Sequence, residues 1–168
     1  MKIFLIGFMG SGKSYWGRML SEKLGMRFFD LDVQVAEQAG KSIPEIFAED
    51  GEEQFRQMEK EVLHIIAESH DNFIMACGGG TPCYFNNIEY MNGAGVTVWI
   101  NTPPDILFER LVREKNSRPL IKDLADEQLK GFISKKFADR RIYYEQAKLK
   151  VCDEPVHLDQ LIDKIFHA

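Results

Sequence analysis

No apolar stretch in this 168-residue chain approaches the roughly 20 residues that a membrane-spanning helix needs. The first residues enter a strand pattern instead of a signal peptide, so no membrane partner is expected. Cysteine is scarce. Cys77, Cys83 and Cys152 are odd in number and lack close-paired metal-ligand spacing, which excludes a disulfide framework and suits reduced thiols in a cytoplasmic protein. Internal repeats and low-complexity segments are missing. So is any surplus of positive charge. A formal net charge of −5 argues against nucleic acid as the main partner, whereas a small anionic metabolite would suit local arginines. Without a coiled-coil pattern or a long exposed apolar stripe, a monomer is the simplest expectation. The length implies a single domain over residues 1–168 with room for a substantial core.

What the chain does contain is Gly7-Phe8-Met9-Gly10-Ser11-Gly12-Lys13-Ser14, directly after the apolar run Ile3-Phe4-Leu5-Ile6. The spacing is that of a phosphate-binding loop. Glycines at 7, 10 and 12 let the backbone curl until several N–H groups face one anion. Lys13 then reaches the outer phosphates, and the Ser14 hydroxyl is placed to ligate magnesium. A helix over 15–24, with Trp16, Met19, Leu20 and Leu24 along one side, adds the positive end of its dipole. The chain is expected to bind a nucleoside triphosphate.

Strand and helix patterns alternate along the rest of the sequence, the signature of a parallel sheet covered on both faces. Strands are predicted at 3–6, 27–29, 73–76, 96–100 and 148–152. Between them lie helices over 33–38, from Ser42 towards Asp50, from Gly51 to 68, over 88–91, and over 103–113 with Thr102 as cap. Two more are predicted over 127–146 and 158–166. The expected fold class is a three-layer α/β/α domain with a five-stranded parallel sheet. Ligands in such sheets sit beyond the carboxyl ends of the strands. The phosphate loop, Asp30-Leu31-Asp32 and Gly78-Gly79-Gly80 all follow strand ends, so they should meet at one rim.

Asp30 and Asp32 point the same way if extended geometry persists, and otherwise form a turn and helix cap. At a phosphate rim, one could hold magnesium through water and the other could orient or deprotonate an attacking hydroxyl. Gly78, Gly79 and Gly80 are costly in backbone entropy unless something approaches them closely. In the long helix over 127–146, Leu129, Phe132, Ile133, Phe137 and Tyr144 define the core face. Arg140 lies near the middle of that face, with Arg141 at its edge. An arginine on a core face needs an anion or a carboxylate. Arg56, one position after core residue Phe55 in a stripe with Met58, Val62, Ile65 and Ile66, suits ion pairing as well as ligand binding. Arg118 lies in the aperiodic stretch 114–126, either an exposed loop or a lid that closes over the triphosphate. Asp153-Glu154-Pro155, after the last strand, could wrap a purine base. Trp16 and Trp99 read most simply as core.

Taken together, the phosphate loop, Phe29-Asp30-Leu31-Asp32, Ile46-Phe47 through Gly51-Glu52 to Phe55-Arg56, Gly78-Gly79-Gly80, Arg118-Pro119-Leu120, and Arg140 with Tyr144 resemble shikimate kinase. The resemblance runs from about residue 3 to 155. It implies a P-loop kinase fold and phosphorylation of the 3-hydroxyl of shikimate by ATP with magnesium. Nucleotide binding would fall to Gly10, Ser11, Gly12, Lys13, Ser14, Tyr15 and Arg118, with the metal at Ser14 and Asp30. The substrate would meet Asp32, Arg56, Gly78, Gly79, Gly80 and Arg140, the two arginines gripping its carboxylate. Lys13, Asp32 and Arg118 would be catalytic. Tyr15 stands where the family usually has threonine. A short segment between Arg113 and Arg118 leaves either Arg110 or Arg113 to stack on the adenine. Another small-metabolite kinase of the same architecture, such as a gluconate kinase, and a nucleotide-dependent switch are the competing readings.

Overall fold

The computed structural model of the chain describes residues 1–118, 120–152 and 157–168. Strands β1 (Lys2–Ile6), β2 (Arg27–Asp30), β3 (Phe73–Ala76), β4 (Val96–Ile100) and β5 (Leu149–Val151) form one parallel sheet, in the order β2-β3-β1-β4-β5. All four described pairings are parallel. The central strand reads as an unbroken apolar run because both of its faces are buried. Ile3 and Leu5 pack with α1 (Lys13–Leu24) and α7 (Leu158–Phe166) through Leu20, Leu161 and Ile165. Phe4 and Ile6 point the opposite way, into the larger core. That core is closed by α2 (Leu31–Ala39), α3 (Ile43–Ser69), α4 (Asn87–Ala94), α5 (Pro104–Glu114) and α6 (Asp126–Tyr144). The three-layer α/β/α arrangement expected from the alternating pattern is the one observed. No helix among the described residues is long and apolar enough to cross a membrane.

Two helices expected to meet near residue 51 run together as α3, which kinks at Gly51 where φ is 85°. The face that α3 buries differs from the expected stripe. Phe55, Glu59, Val62, Leu63 and Ile66 point inward, while Ile65 is 58 % exposed. Those inward positions follow helical spacing faithfully; one of them is simply filled by a carboxylate, so counting apolar residues turned the stripe by one position. Thr102 is not a helix cap. Pro103 occupies the cap of α5, and the buried Thr102 hydroxyl instead donates to the Ser11 carbonyl at 3.5 Å, tying the end of β4 to the phosphate loop.

Between α5 and α6 the expected aperiodic stretch is built of turns. A 3-10 turn spans Lys115–Ser117, and the Ile121 and Lys122 amides donate to the Arg118 carbonyl at 3.1 and 3.0 Å. Ile121 is fully buried and anchors this connection to the core.

Phe4 has no exposed surface and meets Phe73 edge to face at 5.5 Å between ring centroids. Phe4→Ala should therefore destabilise the fold by about 3–5 kcal/mol, seen as a lower denaturation midpoint at unchanged slope. A loss below about 1 kcal/mol would mean that β1 is not the packed centre of the sheet.

Candidate active site

The carboxyl end of β1 opens into the loop over residues 7–12, which enters α1 at Lys13. Gly10 and Gly12 adopt φ values of 81° and 94°, a region that residues with a Cβ rarely enter. Lys13 folds back over the loop and donates to the Gly7 and Phe8 carbonyls at 2.7 and 2.9 Å. Burial lowers its pKa to about 8, partly offset by the attraction of Asp32. The Ser11 hydroxyl is buried with no partner among the described residues. Arg110, from α5, donates to the Gly10 carbonyl at 3.0 Å. A cavity of about 600 Å³ lies over the loop, lined by Gly10 to Trp16 together with Asp30, Arg110, Glu114 and Arg118. Arg113 does not line it. Trp16 is only partly core: it borders this cavity beside Gly12. Trp99, at 1 % exposure, is core. Tyr15 is 61 % exposed, its ring edge-on to Trp16 at 5.1 Å. A hydroxyl at the far end of a ring cannot stand where a threonine hydroxyl would. The segment 153–156 lies outside the described residues.

Asp30 and Asp32 are not side by side on an extended strand. Asp30 ends β2 and caps α2, its Oδ1 accepting from the Asp32 and Val33 amides at 3.1 and 3.4 Å. Asp32 already belongs to the first helical turn, because a carboxylate at residue 30 satisfies the free amides there and starts the helix early. Capping and site geometry are nevertheless compatible. The other oxygen of Asp30 accepts from the Ser14 hydroxyl at 3.0 Å, across the cavity edge. Asp32 lines the phosphate cavity and a second one.

That second cavity, of about 590 Å³, lies between α3, the turn after β3 and α6. Its apolar wall comes from Met9, Ile43, Phe47 and Phe55, and its polar wall from Asp32, Arg56, Glu59 and Arg140. The glycine triplet explains how three charged side chains converge here. A Cβ on Gly78 would lie 3.1 Å from Asp32 Oδ1, one on Gly79 3.0 Å from Arg140 Nη1, and one on Gly80 2.6 Å from Arg56 Nη2. Each glycine makes room for one functional group.

The two arginines are held differently. Arg56 is buried and donates to Glu59 Oε1 at 3.1 Å. Glu59 has no exposed surface, and its other oxygen accepts from Thr81 at 2.8 Å. Desolvation pushes its pKa up, against the pull of Arg56. Arg140 is also buried, but Nη1 lacks a hydrogen-bond partner and no ion pair to it exists among the described residues. Arg141 points away, exposed and paired with Glu145 at 2.7 Å. Beside Arg140, the Tyr144 hydroxyl donates to the Gly79 carbonyl at 2.5 Å.

Met9, Asp32, Gly78, Gly79 and Arg118 line both cavities, so the two share a wall. Burial raises the pKa of Asp32, and Asp30 adds to the rise, while Lys13, Arg56 and Arg118 pull it back. Arg118 is clasped by Glu114, whose Oε2 accepts from Nε and Nη2 at 2.9 and 2.7 Å. Glu59 and Glu114 are residues that sequence reasoning missed. Their spacing from Arg56 and Arg118, three and four positions along a helix or its end, is the ion-pair signal that could have found them.

No cluster of three or more His, Cys, Asp or Glu able to enclose a metal exists among the described residues. Magnesium beside a triphosphate does not need one, since it keeps waters and takes one or two protein oxygens plus phosphates. Ser14 Oγ and Asp30 Oδ2, with Asp32 beside them, form an all-oxygen set that fits this demand.

The lowered pKa of Lys13 has a measurable consequence. In the ligand-free protein Lys13 loses its proton as pH rises through about 8, whereas a bound polyphosphate favours the charged form. Nucleotide binding above pH 8 should take up protons, and affinity should fall with further rise in pH. Calorimetry in two buffers of different ionisation enthalpy measures the uptake; identical heats in both would contradict it.

Comparison with known proteins agrees with this geometry. A profile of the family described as shikimate kinase matches residues 9–168. A shikimate kinase of Azobacteroides pseudotrichonymphae is 39 % identical over 164 residues, covering 98 % of this chain and 96 % of that protein. A crystal structure of shikimate kinase from Bacteroides thetaiotaomicron superposes with a TM-score of 0.90 at 34 % identity, covering 100 % of this chain and 99 % of that one. The Acinetobacter baumannii shikimate kinase, solved in complex with shikimate, gives a TM-score of 0.85 at 32 % identity, with 99 % and 90 % covered. A phosphate cradle and an arginine-lined pocket on one sheet edge, in a chain so similar over its whole length, leave one assignment: this chain belongs to the shikimate kinase family.

Proposed function

We propose that the chain transfers the γ-phosphoryl group of ATP to the 3-hydroxyl of shikimate, giving ADP and shikimate 3-phosphate in aromatic amino-acid biosynthesis. The single observation that carries this reading is the wall common to both cavities, with Asp32 and Arg118 in it. ATP occupies the cradle over residues 7–14, and shikimate occupies the pocket between Arg56 and Arg140. Both guanidinium groups face the substrate carboxylate, and the uncompensated Arg140 supplies most of the opposing charge. Phe47 and Phe55 cover the apolar face of the ring.

Asp32 orients the 3-hydroxyl and accepts its proton as the new O–P bond forms and the γ-phosphoryl bond to ADP breaks. Burial and Asp30 raise its pKa, which makes it a better base than an ordinary aspartate, while Lys13, Arg56 and Arg118 oppose the rise. Lys13 exchanges the Gly7 and Phe8 carbonyls for phosphate oxygens. Arg118, carried on the lid over residues 114–126, exchanges Glu114 for the transferring phosphoryl group. Ser14 and Asp30 would hold magnesium, which would neutralise charge on the outer phosphates. Little covalent work falls to the protein; positioning and electrostatics supply the rate. We read the chain as a monomeric cytoplasmic enzyme of one domain, with no nucleic-acid or membrane partner.

ADP release from ATP and magnesium should be stimulated by shikimate and not by gluconate; the reverse would contradict the assignment. Arg140→Ala should raise KM for shikimate about 10- to 100-fold with KM for ATP nearly unchanged. Arg118→Ala should instead lower kcat about 1,000-fold with shikimate binding intact. Equal effects of both changes on both ligands would contradict the separate roles. Because Asp32 must be ionised and its pKa is raised, kcat/KM for shikimate should fall with decreasing pH above the ordinary aspartate range. A profile flat down to pH 4 would remove Asp32 from the base role.

A further inference from the structure

Arg56 is supported from behind by a residue that lines neither cavity. The Tyr84 ring centre lies 4.3 Å from Arg56 Cζ, closer than that of Phe55 at 5.0 Å. The phenol hydroxyl donates to Glu52 Oε1 at 3.1 Å, and the same carboxylate oxygen is 3.6 Å from Arg56 Nη2. Ring, hydroxyl and carboxylate thus close a loop around one guanidinium. Arg56 pulls the Tyr84 pKa down against desolvation, which pushes it up.

The segment carrying Tyr84 is braced. The Cys83 amide donates to the Gly80 carbonyl at 3.0 Å, the Asn87 amide to the Tyr84 carbonyl at 2.9 Å, and the buried Asn87 side chain to the Thr81 carbonyl at 3.0 Å. Thr81, in the 3-10 turn Thr81–Cys83 that ends at Tyr84, holds Glu59 against the other guanidinium nitrogen. One short turn therefore grips Arg56 twice: through Thr81 and Glu59 along its edge, and through the Tyr84 ring on its face. A fork that must meet a carboxylate with both nitrogens gains most from having its plane fixed beforehand. Arg140 is held differently: its Nη1 has no hydrogen-bond partner among the described residues, and its Cζ lies 5.6 Å from the Phe8 ring centre.

We propose that Tyr84 is a positioning residue that sets the plane of the Arg56 guanidinium for the substrate carboxylate, acting through ring stacking and through Glu52. The proposal rests on shikimate as acceptor, so turnover of shikimate by the unaltered protein is measured first, and failure there strikes the functional reading itself. Tyr84→Leu should then raise KM for shikimate about tenfold, the upper part of the range for a stacked cation, with kcat and KM for ATP within about twofold. Tyr84→Phe, which keeps the ring, should recover most of the loss. In an Arg56→Ala background, Tyr84→Leu should change KM for shikimate no further. An equal rise with and without Arg56, or no rise with Arg56 present, would overturn the proposal. Should Tyr84→Leu fail to fold, Tyr84→Met and Glu52→Ala are read in the same two backgrounds. A rise in KM for shikimate that needs Arg56 supports the proposal, and its absence in both overturns it.

Discussion

Charged groups can be drawn together out of water only where backbone leaves them room, and in this chain that room is the turn after β3. Over residues 78–80 the absence of side chains brings Asp32, Arg140 and Arg56 within contact distance of main chain. A single added carbon at residue 80 would have to displace the Arg56 guanidinium. The same turn touches the phosphate loop, since a Cβ on Gly79 would lie 3.4 Å from the Met9 amide. Acceptor pocket and phosphate cradle are thus halves of one packed unit. Desolvation is the consequence: Lys13 is pushed towards neutrality and Asp32 towards protonation, each held back by the charge of the other.

The two flexible cations of the site rest on oxygens belonging to the protein. Lys13 is satisfied by two loop carbonyls and Arg118 by Glu114. A polyphosphate offers stronger acceptors than a carbonyl and more charge than one exposed carboxylate. Exchange of partners, not recruitment of free charges, is how the site can respond to its nucleotide. Arg140 stands apart, buried without an ion pair among the described residues and with Nη1 free to meet an anionic ligand.

Much of this was legible in the sequence, and the reasons are particular. The phosphate loop announces itself because close backbone approach to an anion demands glycines at fixed positions. The inner strands β3, β1 and β4 are legible because strands buried on both faces are largely apolar. Helical spacing puts Arg140 near the middle of the core face and leaves Arg141 a rival at its edge; burial of Arg140 and the outward pairing of Arg141 with Glu145 decide between them. Glu59 escaped notice because a buried carboxylate looks like an interruption of the stripe until its partners at Arg56 and Thr81 are in place. For Asp30 and Asp32 the residue types leave a strand-end pair and a helix cap both open, and Asp30 is the cap. Thr102 was read as a cap although its hydroxyl turns to the phosphate loop. Both cases share a cause: at a strand–helix junction a short polar side chain can serve local backbone or a distant loop, and only tertiary contacts decide which.

The central claim, that donor and acceptor meet across the wall formed by Met9, Asp32, Gly79 and Arg118, is most directly tested by a crystal structure with ADP, magnesium and shikimate bound together. It should show the shikimate carboxylate between Arg56 and Arg140, its 3-hydroxyl beside Asp32, and that hydroxyl directed at the β-phosphate of ADP. Shikimate bound outside this pocket, or with its ring hydroxyls turned away from the phosphate loop, would contradict the account.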